Sequence, residues 1–172
     1  MASVVAGGPR CVLEVGSGPG RDAARFIEEG HRLVAIELSI EHARRCQRTG
    51  ALMARASVRR LPFRTAAFDS VWTMSTLMHV PNSAIAIALS EMSRVLKPGG
   101  TAAIGVWGGR DVEGYSKEDK VAGRTPRLFS RRSDERWRSM LGAIGNVEVF
   151  ETWRDDDHDF YYQWAVVRRL LS

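Results

Sequence analysis

The chain has 172 residues, enough for one domain with a buried core of its own. Hydrophobic residues make up 44% and charged residues 26%, as in an ordinary globular protein, and no run approaches the roughly twenty apolar residues of a membrane-spanning helix. The formal net charge of +5 permits an anionic partner. Residues 1–9 lack the pattern of a secretory signal, so we expect a flexible lead and a cytoplasmic protein.

Apolar strand-like runs alternate with helical patterns in the first half of the chain. Short apolar runs predict buried strands, and apolar residues three and four apart predict helices. Ser39 is suited to cap the second helix because its side chain can accept a hydrogen bond from the first turn. The predicted strands cover 12–15, 33–38 and 68–74, and the predicted helices cover 22–29 and 39–48.

The second half continues this alternation and then changes. A helix is predicted over 82–96, with a Pro-Gly-Gly turn in 97–100, and a strand follows over 101–107. Residues 108–132 have no regular pattern, so we expect a long functional loop there, acting as a lid or an acceptor loop. A helix capped by Ser133 comes next, and strands are predicted over 146–153 and 160–168.

Alternating strands and helices predict an α/β fold with a mostly parallel sheet and helices on both faces. The link between the last two strands is too short for a crossover helix, so these strands should form an antiparallel hairpin. We expect a single domain over 1–172, with its ligand at the carboxyl ends of the parallel strands.

A glycine-rich loop directly follows the first predicted strand. Gly16, Gly18 and Gly20 alternate, whereas the dinucleotide fingerprint would place its third glycine at Arg21. Glycines let a ligand approach the backbone without a Cβ in the way, although a strand-to-helix turn without a ligand is the alternative. Glu14, just before the loop, disfavours a polyanion and suits an amino group or a sulfonium.

Glu37 ends the second predicted strand, where an acidic side chain can accept both hydroxyl groups of a ribose. A solvated carboxylate at a strand end is the alternative interpretation. Together with the glycine loop, Glu37 favours a nucleoside-containing ligand whose ribose carries no 2′-phosphate.

Five segments, in this order, resemble the class I S-adenosylmethionine-dependent methyltransferases, in particular the small-molecule branch related to ubiquinone and menaquinone biosynthesis enzymes. The resemblance extends from about Cys11 to Arg169 and implies a Rossmann-like, seven-stranded sheet with an antiparallel C-terminal hairpin. The segments are 14–20, 37–39, 61–63, 68–71 and 95–100.

The resemblance also implies a role for each matching residue, with S-adenosylmethionine as the cofactor. The glycine loop, including Ser17, would pass under the methionine part, and Glu14 would lie close to its amino group. Relatives usually offer an acidic residue to the adenine, where this chain has Ser57. The implied cofactor-binding residues are Glu14, Gly16, Ser17, Gly18, Gly20, Glu37, Leu38, Ser57, Val58, Met74 and Ser75.

His79 follows the third predicted strand and is the candidate general base for a protonated acceptor. The alternative is a histidine that packs against or caps the next helix. Trp107, next to the long loop, is the candidate acceptor-binding residue. No metal site is expected, because Cys11 and Cys46 lack further ligands at metal spacing and are interpreted as reduced thiols.

A small-molecule acceptor is the favoured interpretation, and two alternatives stay open. One is an RNA methyltransferase, for example one that acts on tRNA, that uses the arginines of 124–132, although these also fit a solvated basic face. The other is a protein that binds S-adenosylmethionine without methyl transfer. The glycine spacing disfavours an NAD-dependent oxidoreductase, and the missing motifs disfavour a DNA methyltransferase.

Relatives carry helices before the first strand that cover the active site. In this chain, the site is either open, or residues 108–132 or a second subunit of a homodimer is expected to close it.

Overall fold

The computed structural model describes residues 10–122, 125–154 and 160–171. Two segments named above, the lead over 1–9 and most of the link between the last strands, lie outside these ranges, as does Arg124. The strands are β1 (Cys11–Val15), β2 (Arg32–Ile36), β3 (Leu52–Ala54), β4 (Phe68–Met74), β5 (Leu96–Gly108), β6 (Val112–Tyr115), β7 (Leu128–Arg131), β8 (Asn146–Trp153) and β9 (Tyr161–Arg168). The helices are α1 (Arg21–Glu28), α2 (Ile40–Gln47), α3 (Ile85–Val95), α4 (Lys117–Val121) and α5 (Asp134–Leu141), with a 3₁₀ turn at Leu77–His79.

Seven strands form the main sheet in the order β3-β2-β1-β4-β5-β9-β8. The strands from β3 to β5 are parallel, whereas β9 pairs antiparallel with both β5 and β8. The predicted α/β fold with an antiparallel C-terminal hairpin is therefore confirmed. β3 was not predicted, because three residues are too few to show a period.

Alternate residues of the main-sheet strands enter two separate apolar cores. Leu13 and Val71 face the layer that contains α3 and α5, whereas Val12 and Trp72 face the layer that contains α1 and the buried Cys46 of α2. Helices thus cover both faces of the sheet, and the loops that follow β1, β2 and β4 meet at its carboxyl edge.

The prediction of a structureless loop over 108–132 is wrong. β6 and β7 form a separate antiparallel sheet, and α4 lies between them, capped by the side chain of Ser116. All four residues of β6 are exposed, so this strand has no buried face and shows no alternation of apolar and polar residues. A pattern-based interpretation depends on that alternation, which explains why it failed here.

The predicted turn at 97–100 is also wrong, since β5 starts at Leu96, directly after α3. The backbone of Gly99 and Gly100 pairs with Arg169, and the register of β4 against β5 shifts between Phe68 and Ser70. Gly99 and Gly100 therefore lie in the irregular first part of β5. α3 itself begins at Ile85, three residues later than predicted. Within the described ranges, no helix has the length and apolar character required to cross a membrane.

Candidate functional site

A cleft of about 610 Å³ opens at the carboxyl edge of the sheet. Most of the predicted site residues line it, and four of them do not. Glu14 precedes the glycine loop, Ser17 and Gly20 belong to the loop without lining the cleft, and Trp107 lies on β5. The predicted residues in the lining are Gly16, Gly18, Glu37, Leu38, Ser57, Val58, Met74, Ser75 and His79.

The three loop glycines differ in the space that would be available to a Cβ atom at each position. All have positive φ, which L side chains rarely adopt. A Cβ on Gly16 would lie 2.1 Å from Oγ1 of Thr76, whereas a Cβ on Gly18 would meet nothing within 4 Å and would project into open space. A Cβ on Gly20 would lie 2.8 Å from the Cα of Cys46, so Gly20 serves the packing of α1 against α2.

Glu37 joins the glycine loop to the end of β2. Its Oε2 accepts a hydrogen bond from the backbone N–H of Gly18 at 2.9 Å. Its Oε1 accepts from the N–H groups of Leu38 and Ser39 at 2.8 and 2.9 Å. A carboxylate offers about four acceptor positions, so this fixed side chain can still accept from a ligand hydroxyl group.

Glu14 is a buried acid below the glycine loop. Only 3% of the residue is exposed, and its Oε2 is buried without a hydrogen-bond partner among the described residues. Burial raises the pKa of this carboxyl to about 8, and the nearby carboxylates of Asp22 and Glu37 raise it further in the same direction. An unsatisfied carboxyl oxygen here fits the ammonium group of a ligand that lies over the loop.

Segment 56–59 forms the wall next to Glu37. Ser57 accepts a hydrogen bond at Oγ from the backbone N–H of Arg59 at 3.3 Å, and Val58 is buried with its side chain in the core. His42 and Arg59 also line the cleft. Sequence reasoning missed both, because one lies on the exposed face of α2 and the other in a segment without a pattern.

The end of β4 forms the opposite wall, with an unusual backbone at Ser75. Ser75 has a φ of 53°, a conformation that non-glycine residues adopt at a cost, often at functional sites. The Tyr162 hydroxyl lies 3.4 Å from Ser75 Oγ and 3.6 Å from the sulfur of Met74. Gly105 makes room for this ring, since a Cβ there would lie 2.3 Å from the hydroxyl oxygen of Tyr162. Sequence reasoning missed the role of Tyr162, which depends on the pairing of β9 with β5.

His79 lines the cleft at the end of the 3₁₀ turn. Its Nδ1 lies 2.7 Å from the backbone carbonyl oxygen of Leu128, and its ring meets Phe129 edge-on at 4.7 Å between centroids. A carbonyl oxygen only accepts, so Nδ1 carries the proton in this bond. The neutral ring then holds its lone pair on Nε2, the nitrogen that a general base uses.

Among the described arginines of 125–132, only Arg127 has a mostly exposed side chain. Arg132 is buried and donates to Asn82 Oδ1 and to the carbonyl oxygens of Leu77, Ser130 and Val80, while burial lowers its pKa to about 10. Arg127 pairs with Asp119, and Arg131 lies over the Phe129 and Phe160 rings.

Trp107 is 43% exposed and lies outside the cleft lining. Its ring meets Tyr162 edge-on, and Trp153 stacks on the same Tyr162 from the neighbouring strand. Trp107 thus contacts Tyr162, whose hydroxyl group lies next to Ser75 and Met74 of the cleft lining.

Comparison with known proteins agrees with this arrangement. The family model described as a methyltransferase domain matches residues 13–104. An uncharacterized methyltransferase from Mycobacterium sp. (strain KMS) is 31% identical over 154 residues, 84% of this chain and 60% of the relative. A malonyl-[acyl-carrier protein] O-methyltransferase from Erwinia pyrifoliae is 35% identical over 92 residues, 52% of this chain and 34% of the relative.

A solved structure with the same fold is the 1,6-didemethyltoxoflavin-N1-methyltransferase of Burkholderia thailandensis, which holds 1,6-didemethyltoxoflavin and S-adenosylhomocysteine. Its TM-score is 0.75 at 24% identity, over 94% of this chain and 72% of that one. The chain spans about three fifths of the length of the mycobacterial relative.

Proposed function

Because this chain belongs to the methyltransferase-domain family and its cofactor is S-adenosylmethionine, we propose that the protein transfers the cofactor's methyl group to a small-molecule acceptor. The proposal rests on one observation above all. A buried carboxyl with an unpaired oxygen, Glu14, lies below a glycine loop that is tied to a second carboxylate, Glu37.

The residues present fit the cofactor part by part. Glu14 would accept from the ammonium of the methionine moiety, and the bare backbone of Gly18 leaves room above the loop. Glu37 would bind the ribose hydroxyl groups, while Ser57 and Val58 would flank the adenine. Met74 and Ser75 would then lie near the sulfur.

When bound, the cofactor supplies an activated methyl group on a positively charged sulfur, so the protein mainly has to align the acceptor and exclude water. Ser75 and Tyr162 contact each other at the end of β4, and this wall would lie next to the methyl group of the bound cofactor. If the acceptor atom carries a proton, His79 takes it at Nε2, and the Leu128 carbonyl oxygen stabilises the resulting imidazolium through Nδ1–H.

The burial and the partners of the arginines in 127–132 favour a small acceptor over RNA. Arg132 is buried and Arg131 packs on two aromatic rings, so among the described arginines of this segment only Arg127 presents a mostly exposed guanidinium group, and one exposed cation is not the row of cations that a phosphate backbone requires. The small-molecule ligand of the Burkholderia thailandensis neighbour, 1,6-didemethyltoxoflavin, and the resemblance to the small-molecule branch also support this choice.

A transfer assay tests the proposal. The protein is incubated with S-adenosylmethionine labelled on the methyl group, with a cell extract split into small molecules and RNA, and labelled products are separated. We expect label in the small-molecule fraction. His79→Ala should lower the rate for a proton-bearing acceptor about 10²-fold or more while leaving S-adenosylhomocysteine affinity unchanged.

The exposed His42→Ala is the matched control at the adenine side, where loss of the ring should act on cofactor affinity and not on the proton transfer. Label found only in RNA would replace the small-molecule proposal by the RNA alternative. Binding of S-adenosylhomocysteine without label in either fraction would favour the non-catalytic alternative.

A further inference from the structure

Arg127 is a cation that faces the same cleft as His79, and the mechanism above does not use it. It lies just before β7, and its side chain is 62% exposed. An exposed arginine is usually a mobile, hydrated surface group. Three features make Arg127 different.

The first feature is the buried partner that orients its side chain. The side chain of Asp119, on α4, is only 3% exposed. Its Oδ2 accepts from Arg127 Nε at 2.9 Å and from the Arg127 backbone N–H at 3.3 Å, while its Oδ1 faces Nη2 at 3.4 Å. These contacts fix the plane of the guanidinium group. They use two of its five N–H groups, so the fork keeps donors for a second carboxylate.

The second feature is the aromatic ring between the charged groups. Phe129 has the guanidinium carbon of Arg127 5.5 Å from its centroid and that of Arg131 4.9 Å away. The same ring contacts His79 edge-on. Phe129 therefore holds two cations and the candidate base around one apolar centre.

The third feature is the presence of further cations near Arg127. Nε of Arg131 is buried, and no hydrogen-bond acceptor lies within reach of it among the residues that the structure describes. The charge of Arg131 is repelled by Arg110 and, to a smaller extent, attracted by Glu118. Next to these cations, the remaining N–H groups of Arg127 present positive potential at the mouth of the cleft.

We propose that Arg127, held by Asp119, is the anion-binding subsite for the methyl acceptor, and that the acceptor is a small molecule with a carboxylate group. This inference rests on the proposed function and names its substrate class. The carboxylate binds the guanidinium fork in bidentate geometry, which orients the rest of the acceptor toward the methyl group and His79.

The test uses matched acids and amides on protein saturated with S-adenosylhomocysteine. The probes are 3-hydroxybenzoate against 3-hydroxybenzamide and malonate against malonamide, with phenyl phosphate as a third arm, titrated by calorimetry at low salt. We expect the acids to bind at least tenfold more tightly than the amides, and this preference to fall to less than threefold in Arg127→Gln. Asp119→Asn should lower the preference partly, since the charge stays and its orientation is lost.

Arg168→Gln is the matched control, because Arg168 is a half-exposed arginine paired with a carboxylate, Glu148, on the far side of the sheet. It should keep the full preference for the acids. Equal binding of acids and amides, no binding of any acid, or selective binding of phenyl phosphate alone would overturn the carboxylate subsite.

Failure of the subsite and failure of the proposed function are distinguishable in the same experiment. If S-adenosylhomocysteine itself does not bind, the proposed function is wrong. If it binds equally to the wild type and Arg127→Gln while the acids show no preference for the wild type, only the subsite is wrong.

Discussion

The environment of Glu14 in the free protein disfavours the charged form of its carboxyl group, although an ammonium group would bind that charged form. The carboxyl is buried and has an unpaired oxygen, and two further carboxylates lie nearby, so its charged form is disfavoured. A bound ammonium would stabilise that charged form. Ligand binding and the protonation of Glu14 are therefore linked.

We predict that the affinity for S-adenosylhomocysteine rises between pH 6 and pH 8. With a pKa of about 8, Glu14 is protonated over most of this range in the free protein and must lose its proton to pair with an ammonium. The slope can reach tenfold per pH unit, and binding should release up to about one proton. Calorimetry in two buffers of different ionisation enthalpy measures both quantities.

Glu14→Gln is the control for this linkage, because it keeps the shape and removes the titration. Its affinity should be lower and nearly independent of pH.

The raised pKa of Glu14 also affects the stability of the free protein, because between pH 4.5 and 8 the folded state holds a proton that the unfolded state has lost. The free energy of unfolding of the free protein should fall with rising pH through this window, and less so in Glu14→Gln. An affinity that is flat with pH in the wild type would contradict the ammonium role.

The position of Glu14 directly before the glycine loop leads to the prediction of a cationic ligand group, whereas the pKa of Glu14 could not be predicted from the sequence. The sequence places the acid at the end of a buried strand, and a carboxyl there either finds a partner or stays neutral. Which of these occurs depends on Asp22 and Glu37, which approach through α1 and β2 and become neighbours only in the folded chain.

At the scale of elements, Gly105 on β5 provides the space in which a residue of β9 contacts the end of β4 at the cleft. The absence of its side chain lets the Tyr162 ring cross β5 and place its hydroxyl group next to Met74 and Ser75. A cross-strand contact of this kind ties the strained residue of the cleft wall to the antiparallel end of the sheet.

We predict that Gly105→Ala destabilises the protein by about 1–3 kcal/mol, since the added Cβ would lie 2.3 Å from the Tyr162 hydroxyl oxygen and 2.7 Å from the Met74 sulfur. Displacing Tyr162 releases Ser75, so cofactor affinity should fall as well. Gly114→Ala on β6 is the matched control, because its Cβ would meet nothing within 4 Å. Chemical denaturation of the two variants measures the difference, and equal stability would show that Tyr162 yields at little cost.

Elements with a buried face were predictable, and elements without one were not. β1, β4 and α5 show their periods because one face or both faces lie in the core. β6 has no such face, and the cleft residues contributed by its sheet were missed with it. Loop residues directly after predicted strands, such as Gly16 and Ser75, could be assigned because parallel strands end at one common edge. Tyr162 and Arg127 reach the cleft through tertiary packing, which no local pattern encodes.

For the whole molecule, the cleft is assembled from segments that are far apart in the sequence. The loop after β1, the end of β2, segment 56–59 and the end of β4 each supply one wall. A ligand that contacts all four walls binds only the folded state, so it must raise the free energy of unfolding.

We predict that S-adenosylhomocysteine at about 100 times its Kd stabilises the protein by about 2.7 kcal/mol. For a domain of this size, that raises the Tm by about 5–10 °C. NAD at the same concentration should leave the Tm unchanged, because Arg21 occupies the position of the third glycine in the dinucleotide fingerprint.

Glu37→Ala should lose about half of this shift, since an affinity about tenfold lower removes about 1.4 kcal/mol of the stabilisation at the same ligand concentration. The variant also leaves the N–H groups of Gly18, Leu38 and Ser39 without their acceptor, so its own Tm without ligand will be lower. The comparison must therefore be between ligand-induced shifts and not between absolute temperatures. Glu41→Ala, an exposed carboxylate four residues further on in α2, is the matched control and should keep the full shift. An undiminished shift in Glu37→Ala would remove the ribose role from Glu37, because a carboxylate that accepts a hydrogen bond from a ribose hydroxyl group cannot be deleted without loss of affinity.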